Sequence, residues 1–250
     1  MRVLVTGSAD GLGRMVAERL VAEGHEVVLH GRNPARARDA LAAVPGASDA
    51  LTGELASIDE TKDLARQANE NGRFDVVVHN AAVGEQEPRR ETVDGLEHVF
   101  AINSLAPYLL TALIDRPDRL IYLSSGMHEG GQVAFDDLQW TRRRWSGAGA
   151  YSDSKLHDVL IAFAVARRWP EVRSNAVDPG WVATRMGGRG APGDLGQGPE
   201  TQVWLATTDD PVTGTYFYHR RPHRTHPAAT DPAVQDAFLT ACEQLTGVRL

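Results

Sequence analysis

The 250-residue chain reads as a doubly wound α/β fold, a mainly parallel sheet of about seven strands between two layers of helices. Three observations predict it. Short runs rich in Val, Ile and Leu alternate with longer amphipathic stretches, the pattern of strands covered on both faces by the helices between them. A glycine-rich turn, Gly7-Ser8-Ala9-Asp10-Gly11-Leu12-Gly13, stands at the first strand-helix junction. Strand-like segments end in Asn80, in Ser124-Ser125 and in Asp178-Pro179-Gly180, at the carboxyl edge where open parallel sheets place their ligands.

Composition narrows the function. A formal charge of -7 and a pI near 5.7 exclude the basic stripe of a nucleic-acid binder. The single cysteine, Cys242, has no intrachain partner and lies in an Ala/Leu helical pattern, unsuited to a nucleophile. No apolar run reaches the 18 or so residues of a membrane span, and the first strand begins too early for a signal peptide. A cytoplasmic chain without a membrane partner is expected, folded as one domain over residues 1–250.

Arg2 to Thr6 forms the first strand, and Val16, Leu20 and Val21 mark the apolar side of the helix after the glycine loop. Glycines permit a tight turn and close backbone approach, and free N–H groups at the helix start attract the pyrophosphate of a dinucleotide. Thr6, Gly7, Ser8, Gly11, Leu12 and Gly13 are therefore candidate cofactor residues. The second strand, Glu26 to His30, ends in Gly31-Arg32-Asn33. An acid here would bond an adenosine ribose diol, whereas a basic group accommodates a 2'-phosphate, so Arg32, with Asn33 beside it, favours NADP(H) over NAD(H). A helix begins near Pro34, and its Arg36 and Arg38 read as solvated. A third strand spans about Asp49 to Thr52, and Ser57 with Glu60 reads as a capping box. Phe74 to His79 is a buried strand with a structural His79. A helix from about Val93 to Leu113 carries Phe100, Leu105 and Leu109 on its buried face, with Asn103 among them. Arg119 to Leu123 is the next strand.

Tyr151 and Lys155 stand four positions apart in a helix over Ala150 to Trp169, which puts both on one face. A phenol titrates near pH ~10, and a fixed ammonium beside it favours the phenolate. A hydroxyl from Ser124 or Ser125 would hold and polarise a substrate carbonyl next to them. Val172 to Val177 is the following strand. Residues 185–199, rich in Gly and Pro, read as a loop that closes over substrate. Glu200 to Thr207 is a helix, Gly214 to Tyr218 the last strand and Asp231 to Leu245 the C-terminal helix. His219, His223 and His226 lack a spacing that converges on a metal, and none is expected.

Thr6-Gly7-x-x-x-Gly11-x-Gly13, Asn80-Ala81, Asn103, Ser125, Tyr151-x-x-x-Lys155 and Pro179-Gly180 together resemble the shorter branch of the short-chain dehydrogenase/reductase family, in order and over essentially the whole chain. The resemblance implies a Rossmann fold and reversible hydride transfer between a nicotinamide cofactor and a carbonyl or alcohol. It implies Ser125 rather than Ser124 as the hydroxyl on the substrate oxygen, and Tyr151 as general acid/base. Lys155 would lower the Tyr151 pKa and hold the nicotinamide ribose. Asn103, in a slightly opened helical turn, would anchor a water joining Lys155 to solvent. Glu54 and Leu55 fall where the family flanks the adenine ring. Asn80, Ala81 and Ala82 fall over the ribose, with His79 and Ala82 replacing an Asn and a Gly. Pro179, Gly180, Val182 and Thr184 match the nicotinamide-carboxamide site.

Ser125 and Tyr151 lie 151 − 125 = 26 positions apart, about twice the family's common separation. The added segment, 126–149, is similar to that of the retinol dehydrogenase-like subgroup, without the membrane segment those relatives often carry. Its Arg142-Arg143-Arg144 reads as a solvated edge and His128 as a candidate pocket wall. The insert would shield helix faces through which relatives pair, leaving homo-oligomer formation open. Two other functions share some of these features, an NADP(H)-binding sensor without turnover and a sugar-nucleotide epimerase or dehydratase. Every catalytic position is filled, and an epimerase's glycine spacing and larger C-terminal region are not seen. The expected function is an NADP(H)-dependent oxidoreductase acting on a small carbonyl or alcohol.

Overall fold

A computed structural model describes residues 1–188 and 190–250; residue 189, within the expected substrate loop, lies outside the described residues. Among the described residues seven strands run parallel in the order β3-β2-β1-β4-β5-β6-β7: β1 (Arg2–Val5), β2 (Glu26–Gly31), β3 (Asp49–Thr52), β4 (Val76–His79), β5 (Arg119–Leu123), β6 (Arg173–Asp178) and β7 (Tyr216–Tyr218). An eighth strand beyond the expected set, β8 (Arg221–Pro222), returns antiparallel along β7. Its two-residue turn holds His219 and Arg220 at φ of 49° and 59°. Tight hairpins need that left-handed backbone, and neither residue is the Gly or Asn that would have signalled it.

Alternate residues of the strands feed two cores. Val3, Val5, Val27, Leu29, Val76 and Val78 pack against α1 (Gly11–Ala22), α2 (Pro34–Ala43) and α7 (Glu200–Thr207). Leu4, Val28, Val77, Leu120 and Tyr122 pack on the opposite layer. That layer holds α3 (Ile58–Asn71), a helical rod over residues 98–113, α6 (Gly147–Arg168) and α8 (Pro232–Thr246). This two-sided burial is why the strands read as continuous apolar runs. The strand order reverses between β1 and β4, which opens a crevice above their carboxyl ends.

The rod comprises α4 (His98–Phe100), a π-type turn (Ala101–Leu105) and α5 (Ala106–Leu113). It starts at His98, five residues later than Val93, because residues 92–96 form a tight turn with Gly95 at φ 71°. Glu97 then caps the helix, its carboxylate accepting from the Val99 and Phe100 N–H groups. Helix α6 starts before Ala150 for a similar reason, since Ser146 accepts from Gly149 N. The capping box at α3 is half formed. Ser57 accepts from Glu60 N, but the Glu60 carboxylate accepts from Glu54 N instead of returning to Ser57.

The insert folds over α6. Phe135 packs on Phe238 and His157, and His157 stacks on Phe238 at 4.3 Å, so the insert and α8 together cover the helix. Arg143 corrects the reading of a solvated arginine run. Its guanidinium donates to the buried Asp137 (3.1 Å) and Asp153 (2.9 Å) and lies over Trp140 at 3.9 Å. Burial opposes the Asp137 charge, but the N–H groups of Arg142, Thr141 and Arg143 and the guanidinium outweigh it and hold the carboxyl well below its usual range. Burial pushes the Asp153 carboxyl up, with Gln132 N and Arg143 opposing. Among the described residues no helix is long and apolar enough to cross a membrane, and no group of His, Cys, Asp or Glu side chains is placed to hold a metal.

Candidate active site

The loops after β1 and β4 are knitted together at the crevice. Thr6 Oγ1 accepts from Asn80 N and Ala81 N, and Asn80 Nδ2 donates to Thr6 O (2.8 Å) and Gly7 O (3.3 Å). The approach is tight. A Cβ at Gly7 (φ 62°) would stand 2.8 Å from Ala81 Cα, and one at Gly13 would stand 2.3 Å from Asn80 Nδ2. At Gly11 (φ 56°), by contrast, a Cβ would meet nothing within 4 Å. The start of α1 is thus open on one side, and Asp10 makes no side-chain cap there. An open, glycine-lined helix N-terminus is the cradle a dinucleotide pyrophosphate needs, so the residues fit that group.

His30, at the end of β2, seats this loop. Its Nδ1 accepts from Gly7 N at 3.0 Å, which makes Nε2 the donor to Gly53 O at 2.9 Å. Ser8 Oγ accepts from His30 N, so this expected cofactor residue turns its side chain inward. Leu55 and Val182 are likewise buried, leaving Glu54 as the half-exposed member of the adenine-side pair. Arg32 is exposed after β2, and Asn33 caps α2 by accepting from Arg36 N. Arg36 is not simply solvated, because it donates to Asp10 in the glycine loop at 2.7 Å.

At the ends of β5 and β6 the chemical groups converge. Asn103 lies in the π turn, where Oδ1 accepts from Val83 N (2.8 Å) and Nδ2 donates to Val83 O and Ser154 Oγ. Ser154 Oγ in turn donates to Tyr151 O, so Asn103 fixes the loop after β4 against the tyrosine turn. Ser124 is buried and donates to Lys155 O, whereas Ser125 is half-buried, with its hydroxyl beside the Tyr151 phenol. Lys155 Nζ lies 5.6 Å from the centre of the Tyr151 ring. Burial raises the Tyr151 pKa, while the Lys155 charge and the Ser125 hydroxyl pull it down.

Lys155 has a partner that the sequence reading missed. Its ammonium donates to Leu123 O (2.7 Å) and to Asp158 Oδ2 (2.9 Å), and both side chains are 3% exposed. Burial opposes the Lys155 charge, but Asp158 and Tyr151 outweigh it and raise the pKa. Burial pushes the Asp158 carboxyl up, against the pull of the Lys155 ammonium. The i,i+3 spacing was a visible signal, and burial is what gives it meaning.

One expectation about the pocket rim changes. His128 is fully buried and does not line the pocket. Its Nδ1 donates to Ser125 O and its Nε2 accepts from His226 N, so it ties the insert to the segment after β8. At Gly196 and Gly198 the segment expected to close over substrate lies against α1. Arg19 of α1 donates to Gly196 O, and a Cβ at Gly198 would touch Leu12 at 2.6 Å. Beside Pro179, Gly180 adopts φ 80° and donates to Asp178 Oδ1, and Thr184 Oγ1 accepts from Gly187 N. Met186 packs against Gly84, and Trp181 stands 64% exposed, which gives the mouth an apolar edge.

A glycine cradle at the strand-order reversal and a tyrosine-lysine pair at the carboxyl edge of β5 define a dinucleotide-dependent oxidoreductase. The chain belongs to the short chain dehydrogenase family, whose sequence profile matches residues 1–192. It is 41% identical to an uncharacterized oxidoreductase of Emericella nidulans, with 99% of this chain and 98% of that protein covered. Retinol dehydrogenase 13 of Mus musculus is 29% identical over 99% of this chain and 84% of its own. The crystal structure of an uncharacterized protein from Mycobacterium paratuberculosis superposes with a TM-score of 0.87 at 27% identity, covering 99% of this chain and 94% of that one. The protein is therefore a dehydrogenase or reductase that acts on a CH–OH or carbonyl group with a nicotinamide cofactor.

Proposed function

We propose that the protein reversibly reduces a small ketone or aldehyde with NADP(H), with Tyr151 as the general acid/base. The observation that carries this reading is the convergence of the Tyr151 phenol, the Lys155 ammonium and the Ser125 hydroxyl at the end of β5. The bound nicotinamide supplies the hydride in one direction and accepts it in the other. For reduction, Ser125 holds the carbonyl oxygen and Tyr151 gives it a proton. Lys155 then stabilises the phenolate that remains. For oxidation the same phenolate takes the alcohol proton. Asn103, through Val83 and Ser154, keeps the tyrosine turn and the cofactor-side loop in register.

NADP(H) rather than NAD(H) is favoured by Arg32 after β2, where a 2'-phosphate would sit and no acid competes. Gly7, Gly11 and Gly13 would admit the pyrophosphate. Glu54, Ala81 and Ala82 would flank the adenosine half, and Pro179, Gly180 and Thr184 the nicotinamide. The apolar edge made by Trp181 and Met186 suits a substrate with a hydrocarbon body.

The test is stoichiometric NADPH oxidation against a panel of ketones and aldehydes, repeated with Tyr151→Phe. Net cofactor consumption by the wild type, lost in the variant while NADPH still binds, is expected. Near-normal turnover by Tyr151→Phe would sink the assignment, and bound cofactor that never turns over would point to a sensor.

A further inference from the structure

We propose that Asp158 is a positioning residue of the proton-transfer site: it clamps the Lys155 ammonium so that its remaining face serves Tyr151, and its negative charge sets where Tyr151 titrates. The proposal rests on the reading of Tyr151 and Lys155 as the acid/base pair.

Lysine is a flexible chain with three donors. Here two are spent, on Leu123 O at 2.7 Å and Asp158 Oδ2 at 2.9 Å, and the third is left for the tyrosine side, where the ring centre lies 5.6 Å away. The backbone carbonyl shows that a neutral acceptor can anchor the ammonium. What calls for explanation is a carboxylate, because a buried anion is costly unless its charge is used. Asp158 is 3% exposed, as is its partner, so their attraction is weakly screened.

The surroundings leave Asp158 as the principal counter-charge. From β5, Tyr122 faces it, with its hydroxyl engaged by Thr111 Oγ1 at 2.7 Å. Tyr151 faces it from its own helix. From the end of β6, Asp178 acts on Tyr151, and from β7, Tyr216 Oη donates to Asp178. Lys155 is the cation that interacts with Asp158 among these groups. An uncompensated Lys155 would pull the phenol down further and would itself lose its proton more easily, since burial opposes its charge. Asp158 therefore holds both titrations at higher pH.

The experiment is a titration of phenolate ultraviolet absorbance, taken as the difference between each protein and the same protein carrying Tyr151→Phe. It is run for wild type, Asp158→Asn and Asp158→Glu, beside pH profiles of kcat. Asp158→Asn should lower the Tyr151 midpoint by about one pH unit, and both limbs of the rate profile should move to lower pH. Asp158→Glu, which keeps the charge, should stay close to wild type. An unmoved midpoint in Asp158→Asn, with activity reduced evenly at all pH values, would make Asp158 a packing residue. An equal shift in Asp158→Glu would refute the role of charge. Should Asp158→Asn fail to fold, Asp158→Ser carries the same expectation. The absorbance titration decides on Asp158 even if no carbonyl substrate is turned over, which would count against the proposed function alone.

Discussion

Replacing Arg143 by methionine removes the guanidinium that joins the insert to α6 while keeping an apolar stem over Trp140. Two buried carboxylates then lose a cation. Asp137 keeps the N–H groups of Thr141, Arg142 and Arg143, and Asp153 keeps Gln132 N at 2.7 Å. Breaking a buried pair by removing one partner costs about 3–5 kcal/mol, and these surviving donors place the cost near the lower end, about 3 kcal/mol. A chain of this size loses roughly 2–4 °C of Tm per kcal/mol, so a drop of roughly 6–12 °C is expected in thermal unfolding at neutral pH.

The pH dependence is a second readout. The Asp153 pKa is raised in the folded state, so its ionisation already costs stability as pH climbs above the unfolded value near ~3.9. Without Arg143 that cost grows. Asp137, whose pKa is depressed, contributes stability above its unfolded value that is lost as pH falls through the folded one, and Arg143→Met removes part of that contribution. Both effects require charged carboxylates, so the Tm difference should shrink as the medium is acidified. A shift under about 2 °C at neutral pH, or one that grows in acid, would show that the guanidinium does not hold the insert in place.

Two further predictions concern the cofactor groove. Arg32→Asp should shift preference from NADPH toward NADH, measured as the ratio of the two kcat/KM values; an unchanged ratio would refute the phosphate role. Gly13→Ala places a Cβ 2.3 Å from Asn80 Nδ2 and 2.6 Å from Gly7 O, and should cost about 1–3 kcal/mol of stability and at least about tenfold in cofactor affinity. Wild-type affinity by calorimetry would mean that the two loops part easily.

The sheet was legible because doubly covered strands are uninterrupted apolar runs, and the glycine loop announced where chain direction turns. Local spacing also brought Tyr151 and Lys155 together. Less visible was which way a polar side chain points. Ser8 and Ser125 both follow strand ends, yet one bonds His30 N inside the fold and the other faces the phenol. Arg143 stands between two exposed arginines in the sequence, and only the meeting of Asp137 with Asp153 marks it as internal. The loop over residues 185–199 was placed by composition, which carried no hint of Leu12 or Arg19 beneath it. Such contacts join residues far apart in the chain, beyond the reach of periodicity.

The π turn at Ala101–Leu105 acts as a phase shifter. Carrying about one residue more than an α turn, it offsets the two halves of the rod by about 100°. Asn103 and Ser104 reach α6 at Ser154 and His157, while Tyr108 meets Val248 and Thr111 meets His79 and Tyr122. One straight α-helix would have to choose between these sets of partners. The turn therefore absorbs one extra residue within the rod, so that each half keeps its own set of partners.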